Sequence, residues 1–276
     1  MESVIDAHQH FWRFSPTEFA WIDETMSAIA KDFLPDDLRP VARAAGVDGV
    51  VSMQSRQTID ETLWLLDLAA EDELIRGVVG WMPLESAELG KELEKVAHRR
   101  KLRGVRHVPA DDADDQYFLR DDFASGISLL RKFNLCYDLL IMERQLPAAM
   151  RFVDRHPSQP FIVDHIAKPK IKSAEMEPWA INLRELAKRS NVWCKLSGMV
   201  TEADWRAWTP AALRPYFDVA IEAFGPRLMI GSDWPICLLA CPYQRWIETV
   251  RQWASTLSET EQRDLYRNAA TKAYGL

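Results

Sequence analysis

Two histidines stand two residues apart in the segment Val4-Ile5-Asp6-Ala7-His8-Gln9-His10-Phe11-Trp12. In an extended chain, side chains at i and i+2 share a face, so His8 and His10 point the same way. Paired imidazoles can hold a metal ion or donate hydrogen bonds to a carbonyl oxygen. A third histidine, His165, closes the apolar run Phe161-Ile162-Val163-Asp164, where another apolar residue would be expected. Asp233 follows Leu228-Met229-Ile230-Gly231-Ser232 and precedes Trp234-Pro235. It reads as a metal ligand, a general base, or a turn residue ahead of proline.

These four residues act together only if something brings them together. Short β-branched or apolar runs recur along the chain at Val4–Phe11, Gly49–Gln54, Ile75–Met82, Leu102–Val108, Leu135–Met142, Phe161–Ile166, Val192–Met199 and Leu228–Trp234. Between them lie stretches with helical period, among them Thr58–Glu73, Asp121–Asn134, Gln145–His156, Ala211–Phe224 and Pro242–Leu257, with a last helix near Glu259–Tyr274. In Thr58–Glu73 the period places Leu63, Leu66 and Ala70 on one face. Eight strand–helix alternations with no linker predict a single (β/α)8 TIM barrel over residues 1–276. No Gly-rich phosphate loop follows the first run, which removes the case for a nucleotide-binding open sheet. In a barrel, chemistry gathers at the C-terminal ends of the strands, where His8, His10, His165 and Asp233 all fall.

Composition narrows the partners. The 276 residues carry 34 Lys+Arg against 41 Asp+Glu, a net charge of −7, which argues against phosphate-backbone binding. No run reaches the length of a membrane-spanning helix, and the first residues lack a signal-peptide pattern. Cys136, Cys194, Cys237 and Cys241 lack paired zinc-ligand spacing and read as reduced thiols in a cytoplasmic protein. The expectation is a small-molecule substrate, with no nucleic acid and no membrane; the sequence says nothing of oligomeric state. Eleven tryptophans are an unusual number. Trp12, Trp81 and Trp234 fall at or just past strand ends, where they suit stacking on a sugar ring, while Trp64, Trp179, Trp205, Trp208, Trp246 and Trp253 suit packing. Arg106 and His107 end the fourth run as binding candidates, with Gln54 and Tyr137 behind them. Lys168 and Lys195 read as exposed mouth residues or as contacts for an acidic group, and Ser197 as a structural one.

The segments DAHQHFW, GWMPLES, LRGVRHV, DHIAKP, CKLSGM, GSDWP and the closing RNAATKAYGL, in that order, resemble the amidohydrolase superfamily. LPDDL at Leu34–Leu38, ERQLP at Glu143–Pro147 and the stretch Met199–Arg206 add to the likeness. Within the superfamily the chain is similar to the TIM-barrel metal-dependent hydrolases of the amidohydrolase 2 type, and most of all to sugar-acid lactonases of the L-fuconolactonase group. The resemblance implies a carboxylic ester hydrolase that opens an aldonolactone in carbohydrate catabolism. It implies Asp233 as the base that takes a proton from water, with His165, His8 and His10 polarising the carbonyl. It also implies one divalent ion, zinc or manganese, on His8, His10, His165 and Asp233, or metal-free hydrolysis on the same residues. The fourth run ends Arg106-His107-Val108 and the fifth has no histidine, so a two-metal site is not expected. Decarboxylation on the same site and a binding-only barrel are the rival readings.

Overall fold

The computed structural model describes residues 3–108 and 116–276. Its eight strands are β1 Val4–Gln9, β2 Val47–Met53, β3 Ile75–Gly80, β4 Leu102–Arg106, β5 Cys136–Leu139, β6 Phe161–Val163, β7 Val192–Leu196 and β8 Leu228–Ile230. Each lies within or beside one of the eight runs read from the sequence, and all seven neighbouring pairs are parallel in the order β1 to β8. The seam between β8 and β1 closes just beyond the strands. There, Asp233 N donates to His8 O at 2.8 Å and His10 N donates to Trp234 O. The molecule is a (β/α)8 barrel, and this seam sews two proposed site segments together.

Helices cover the outside: α1 Pro35–Ala44, α2 Ile59–Glu71, α3 Leu89–Val96, α4 Asp121–Lys132, α5 Leu146–Arg155, α6 Trp179–Ala187, α7 Met199–Glu202, α8 Pro210–Phe224 and α9 Tyr243–Ala254. Helix α1 is absent from the periodicity reading; Pro40 inside it breaks the expected composition. In α2 the buried stripe is Thr62, Leu65, Leu66 and Ala69, one step away from the expected face, and Leu63 is exposed. The expected terminal helix divides into α10 Glu259–Arg263, a wider turn at Asp264–Asn268, and α11 Ala269–Tyr274.

Inside the barrel, Ile5, Ala7, Val51, Met53, Val79, Ile162 and Met229 pack with Tyr274 from α11. The helix–sheet layer is a second, larger apolar body, rich in rings such as Phe118, Phe123, Phe152 and Phe161. No helix among the described residues is long and apolar enough to cross a membrane.

Strand β1 carries the irregularity that matters for the site. Ile5 and Ala7 face the barrel interior, so strict alternation would turn His8 outward. The register jumps from Asp6↔Val50 to Gln9↔Ser52, three residues against two. One residue is therefore extra in β1, and this bulge brings His8 and His10 inward. Asp6 is left facing the other way, where it accepts from Ser232 N and from the Tyr243 hydroxyl of α9.

Candidate active site

Beyond β6 the chain enters a left-handed turn, with positive φ at His165, Ile166, Ala167 and Lys168. Such backbone is costly for residues with a Cβ, most of all for β-branched Ile166, and persists only where surroundings enforce it. Trp179 of α6 supplies one constraint, donating from its indole to Ile166 O at 2.7 Å. Gly198 supplies another: it sits at φ +66°, and any Cβ there would lie 2.6 Å from His165 Nδ1. The turn presses His165 against Ser197 Oγ at 2.9 Å, which leaves Nε2 for the barrel mouth. Asp233, at φ 58°, is presented by a similar left-handed step.

The structure brings His8, His10, His165 and Asp233 together. His8 Nε2 lies 3.2 Å from His10 Nε2, and Asp233 Oδ1 lies 3.6 and 3.5 Å from those two nitrogens. His8, His165 and Asp233 each offer a ligand atom within 4.8 Å of the others. Partners decide the tautomers. His10 Nδ1 faces Met53 O at 3.1 Å, an acceptor only, so Nδ1 carries the proton and Nε2 presents a lone pair. His8 has two choices. With Lys195 Nζ donating to its Nδ1 (3.2 Å), its Nε2–H points at His10; with Nδ1–H donating to Asp164 Oδ1 (3.3 Å), its Nε2 presents a lone pair.

The second arrangement gathers nitrogen lone pairs around the buried Asp233 Oδ1, which has no hydrogen-bond partner. This donor set fits a divalent cation. The first arrangement makes His8 a hydrogen-bond donor, so the residues suit either occupancy.

Burial lowers all three imidazole pKa values: His165 falls to about 4, and His8 and His10 also drop below the ordinary value. They are neutral near neutral pH, as ligands and acceptors must be. Burial works against the Asp233 carboxylate as well. It is outweighed by the attraction of His165 and the contact with His10, which hold Asp233 well below the usual carboxylate range.

Beneath these residues lies a layer of buried charge that sequence reasoning missed. Lys195 is fully buried rather than exposed, 2.6 Å from Asp138 Oδ2 and 3.0 Å from Asp164 Oδ1. Asp164 also meets Arg106 Nη1 at 3.0 Å, and Tyr274 donates to Asp138 at 2.6 Å. Burial opposes the ionised form of Asp164, yet Lys195, His8 and Arg106 hold its pKa well down; at Asp138 burial prevails over Lys195 and raises it. A lone charge in an apolar run gives no sign of this, because each partner comes from a different strand. The DHIAKP segment does contain Asp164, beside the histidine that drew notice.

Arg106 and Gln54 are placed at the site. Arg106 Nη2 donates to Gln54 O at 2.6 Å and to Gln54 Oε1 at 2.9 Å. Two buried donors, Arg106 Nε and Gln54 Nε2, have no internal partner. Both residues line a cavity of about 520 Å³ at the barrel mouth, with His10, His165 and Asp233.

Five other binding candidates are not brought there. Trp12 is buried under Phe19 and Phe33 and donates to Lys31 O, because the chain leaves the barrel wall after His10 and pairs with Phe33. Tyr137 faces outward from β5 into the Phe123, Phe152 and Phe161 rings. Trp81 and His107 hold each other: Trp81 Nε1 donates to His107 Nδ1 at 3.1 Å, and His107 Nε2 meets the Tyr117 hydroxyl at 2.8 Å. Trp234 packs on Phe11 and Phe33. The tryptophans that line the cavity are Trp21 and Trp205, both from connecting segments.

A family model described as "Amidohydrolase" matches residues 5–276. The chain belongs to the amidohydrolase family. An L-fucono-1,5-lactonase of Burkholderia multivorans is 42% identical to it, over 99% of this chain and 96% of that one. Two crystal structures of a Burkholderia multivorans amidohydrolase superpose over 100% of both chains. The form with bound HEPES has a TM-score of 0.95 at 39% identity, and the form with bound zinc has 0.93 at 41%. As an amidohydrolase the protein keeps the strand-end histidines and aspartate of its barrel on one cavity floor, with the buried charges beneath them.

Proposed function

We propose that this amidohydrolase hydrolyses the ring ester of a sugar-acid lactone, an aldonolactone resembling L-fucono-1,5-lactone, to the open-chain acid in carbohydrate catabolism. The observation that carries the reading is the cavity, where the ionised Asp233 lies with His10, His165, Arg106 and Gln54 around one space. The lactonase relatives supply the substrate class. One barrel domain over residues 1–276 and a cytoplasmic location belong to the reading; four free, buried thiols support the location.

An ester carbonyl needs an attacking oxygen on its carbon and donors for the charge that develops on its oxygen. Asp233 is ionised and takes a proton from water as the water oxygen bonds to the carbonyl carbon. The positive charge of Arg106 and the amide of Gln54, both at the cavity, stabilise the oxyanion. When the ring C–O bond breaks, the ring oxygen takes the proton from Asp233 and leaves as a hydroxyl on the acid. The neutral imidazoles hold water and carbonyl in place, and the buried charges below fix Arg106 and His8. A divalent ion would sit on His8, His165 and Asp233 with His10 beside them, and supplies carbonyl polarisation and a more acidic water when bound. Zinc is the ion of this reading and manganese the second; the nitrogen and oxygen donors and the zinc of the neighbouring structure support it.

The test is a pH-indicator assay over a panel of 1,4- and 1,5-sugar lactones, with Asp233→Asn beside the parent chain. Turnover of at least one lactone, falling ~100- to 10,000-fold in the variant, is expected for loss of a general base. Release of carbon dioxide from an aromatic acid, with no lactone opened, would overturn the reading.

A further inference from the structure

Above the catalytic floor the cavity wall carries an ion pair with no part in the chemistry so far. Lys168 is the last residue of the left-handed turn that presents His165, and Glu202 ends α7, the short helix after β7. Lys168 Nζ donates to Glu202 Oε1 at 2.5 Å, and both residues line the cavity beside His165, Asp233 and Trp205. The two side chains are 28% and 22% exposed, enough to meet a ligand yet partly shielded from bulk water. Lys168 lies close enough to His165 to contribute to the lowering of its pKa.

We propose that the Lys168–Glu202 pair is the subsite that reads two neighbouring ring hydroxyls of the lactone. The inference rests on the lactonase reading and adds what selects the substrate. A hydroxyl both donates and accepts, so a fixed carboxylate beside a fixed ammonium satisfies a hydroxyl pair from both sides. Glu202 Oε2 and the remaining ammonium hydrogens of Lys168 have no other bond shown among the described residues. A plain anion would meet the carboxylate's repulsion, and a plain hydrocarbon ring would have to desolvate two charges without return. Other parts of the wall, Met26, Ile236 and Leu239, are apolar, and the segments bearing them pack against one another. The wall above the catalytic floor thus carries a polar pair in one part and an apolar face in another, as a ring hydroxylated on one edge requires.

The experiment compares kcat/KM on the best sugar 1,5-lactone with that on unsubstituted δ-valerolactone, in the parent chain, Glu202→Gln and Lys168→Met. The expected result is a hydroxylated-to-unsubstituted ratio that falls about ten- to hundredfold in each variant, because lost hydroxyl contacts act on one substrate class only. Removing a partly exposed pair costs the fold little, so thermal melts should confirm that both variants fold. A variant that fails to fold is replaced by binding of the non-hydrolysable sugar lactam to the other one, where the affinity loss must match. A ratio unchanged in both variants, with the parent active on sugar lactones, overturns the subsite alone. A parent chain inactive on every sugar lactone overturns the lactonase reading and the subsite with it.

Discussion

Gly198→Ala gives a stringent test of how the site is held. Gly198 lies at φ +66°, and the new Cβ would sit 2.6 Å from His165 Nδ1 and 2.7 Å from its Cγ. Ordinary contact begins near 3.4 Å, so the imidazole must retreat by about 0.8 Å. It cannot retreat freely: Nδ1 is tied to Ser197, and the turn beneath it is anchored by Trp179. A displacement of that size among reacting groups costs about 100-fold in rate. The left-handed backbone adds ~1–2 kcal/mol of destabilisation, which for a chain of this size lowers Tm by roughly 2–4 °C.

Gly225→Ala separates the two effects. Gly225 also has positive φ, at +47°, but a Cβ there meets nothing within 4 Å. With ψ at −115° its backbone is even less open to a Cβ than that of Gly198, so the variant should show a Tm loss at least as large with kcat/KM intact. Steady-state kinetics and thermal melts on both variants complete the test. A Gly198→Ala enzyme with parental kcat/KM would refute the claim that His165 is positioned by this contact.

Three further outcomes follow from the electrostatics. Because burial lowers all three imidazoles, His165 to about 4, the acid limb of kcat/KM should lie below the ordinary imidazole range. A limb centred near 6.5, the ordinary imidazole value, would show them titrating freely. Zinc added to chelator-stripped protein should bind at about one ion per chain, with at least ~10-fold weaker affinity in His8→Ala; absence of uptake removes the ion from the mechanism. Glu61 is buried, and burial raises its pKa from 4.5 to about 7 despite bonds from Ser55 and Arg56 backbone. A raised carboxyl stabilises the fold below the unfolded value and loses that contribution as pH rises through the folded one. Glu61→Gln should therefore gain ~1–3 kcal/mol over the parent in urea melts near pH 8, with little difference near pH 4.5. Equal urea midpoints at the higher pH would count against the buried carboxylate.

The barrel was legible because each strand is an apolar run with its own helix behind it. His8, His10, His165 and Asp233 stood out because a polar residue at the end of such a run has few other reasons to be there. The aromatic assignments failed for a physical reason. Position relative to a strand end gives no direction once the backbone departs from the pleat, as it does after His10, so Trp12 and Trp234 turn into the core. Trp21 and Trp205 reach the cavity from loops, whose path depends on contacts distant in sequence. Lys195, Asp138 and Asp164 were illegible for the complementary reason. Each is unfavourable alone in an apolar strand and becomes tolerable only when three strands close around the same point.

The extra residue in β1 makes the placement of the histidine pair a matter of counting rather than of side-chain identity. Point substitutions leave the count unchanged, so they can weaken His8 and His10 but cannot turn both away together. Loss of the Ala7 codon would restore the even pleat while Gln9 kept its place opposite Ser52, so that His8 took the inward place of Ala7 and His10 still pointed inward. Two coding sequences differing by three nucleotides would then specify the same eight-stranded wall with the same histidine pair at its mouth. The extra residue thus lets one strand give both Ala7 to the barrel core and His8 to the site.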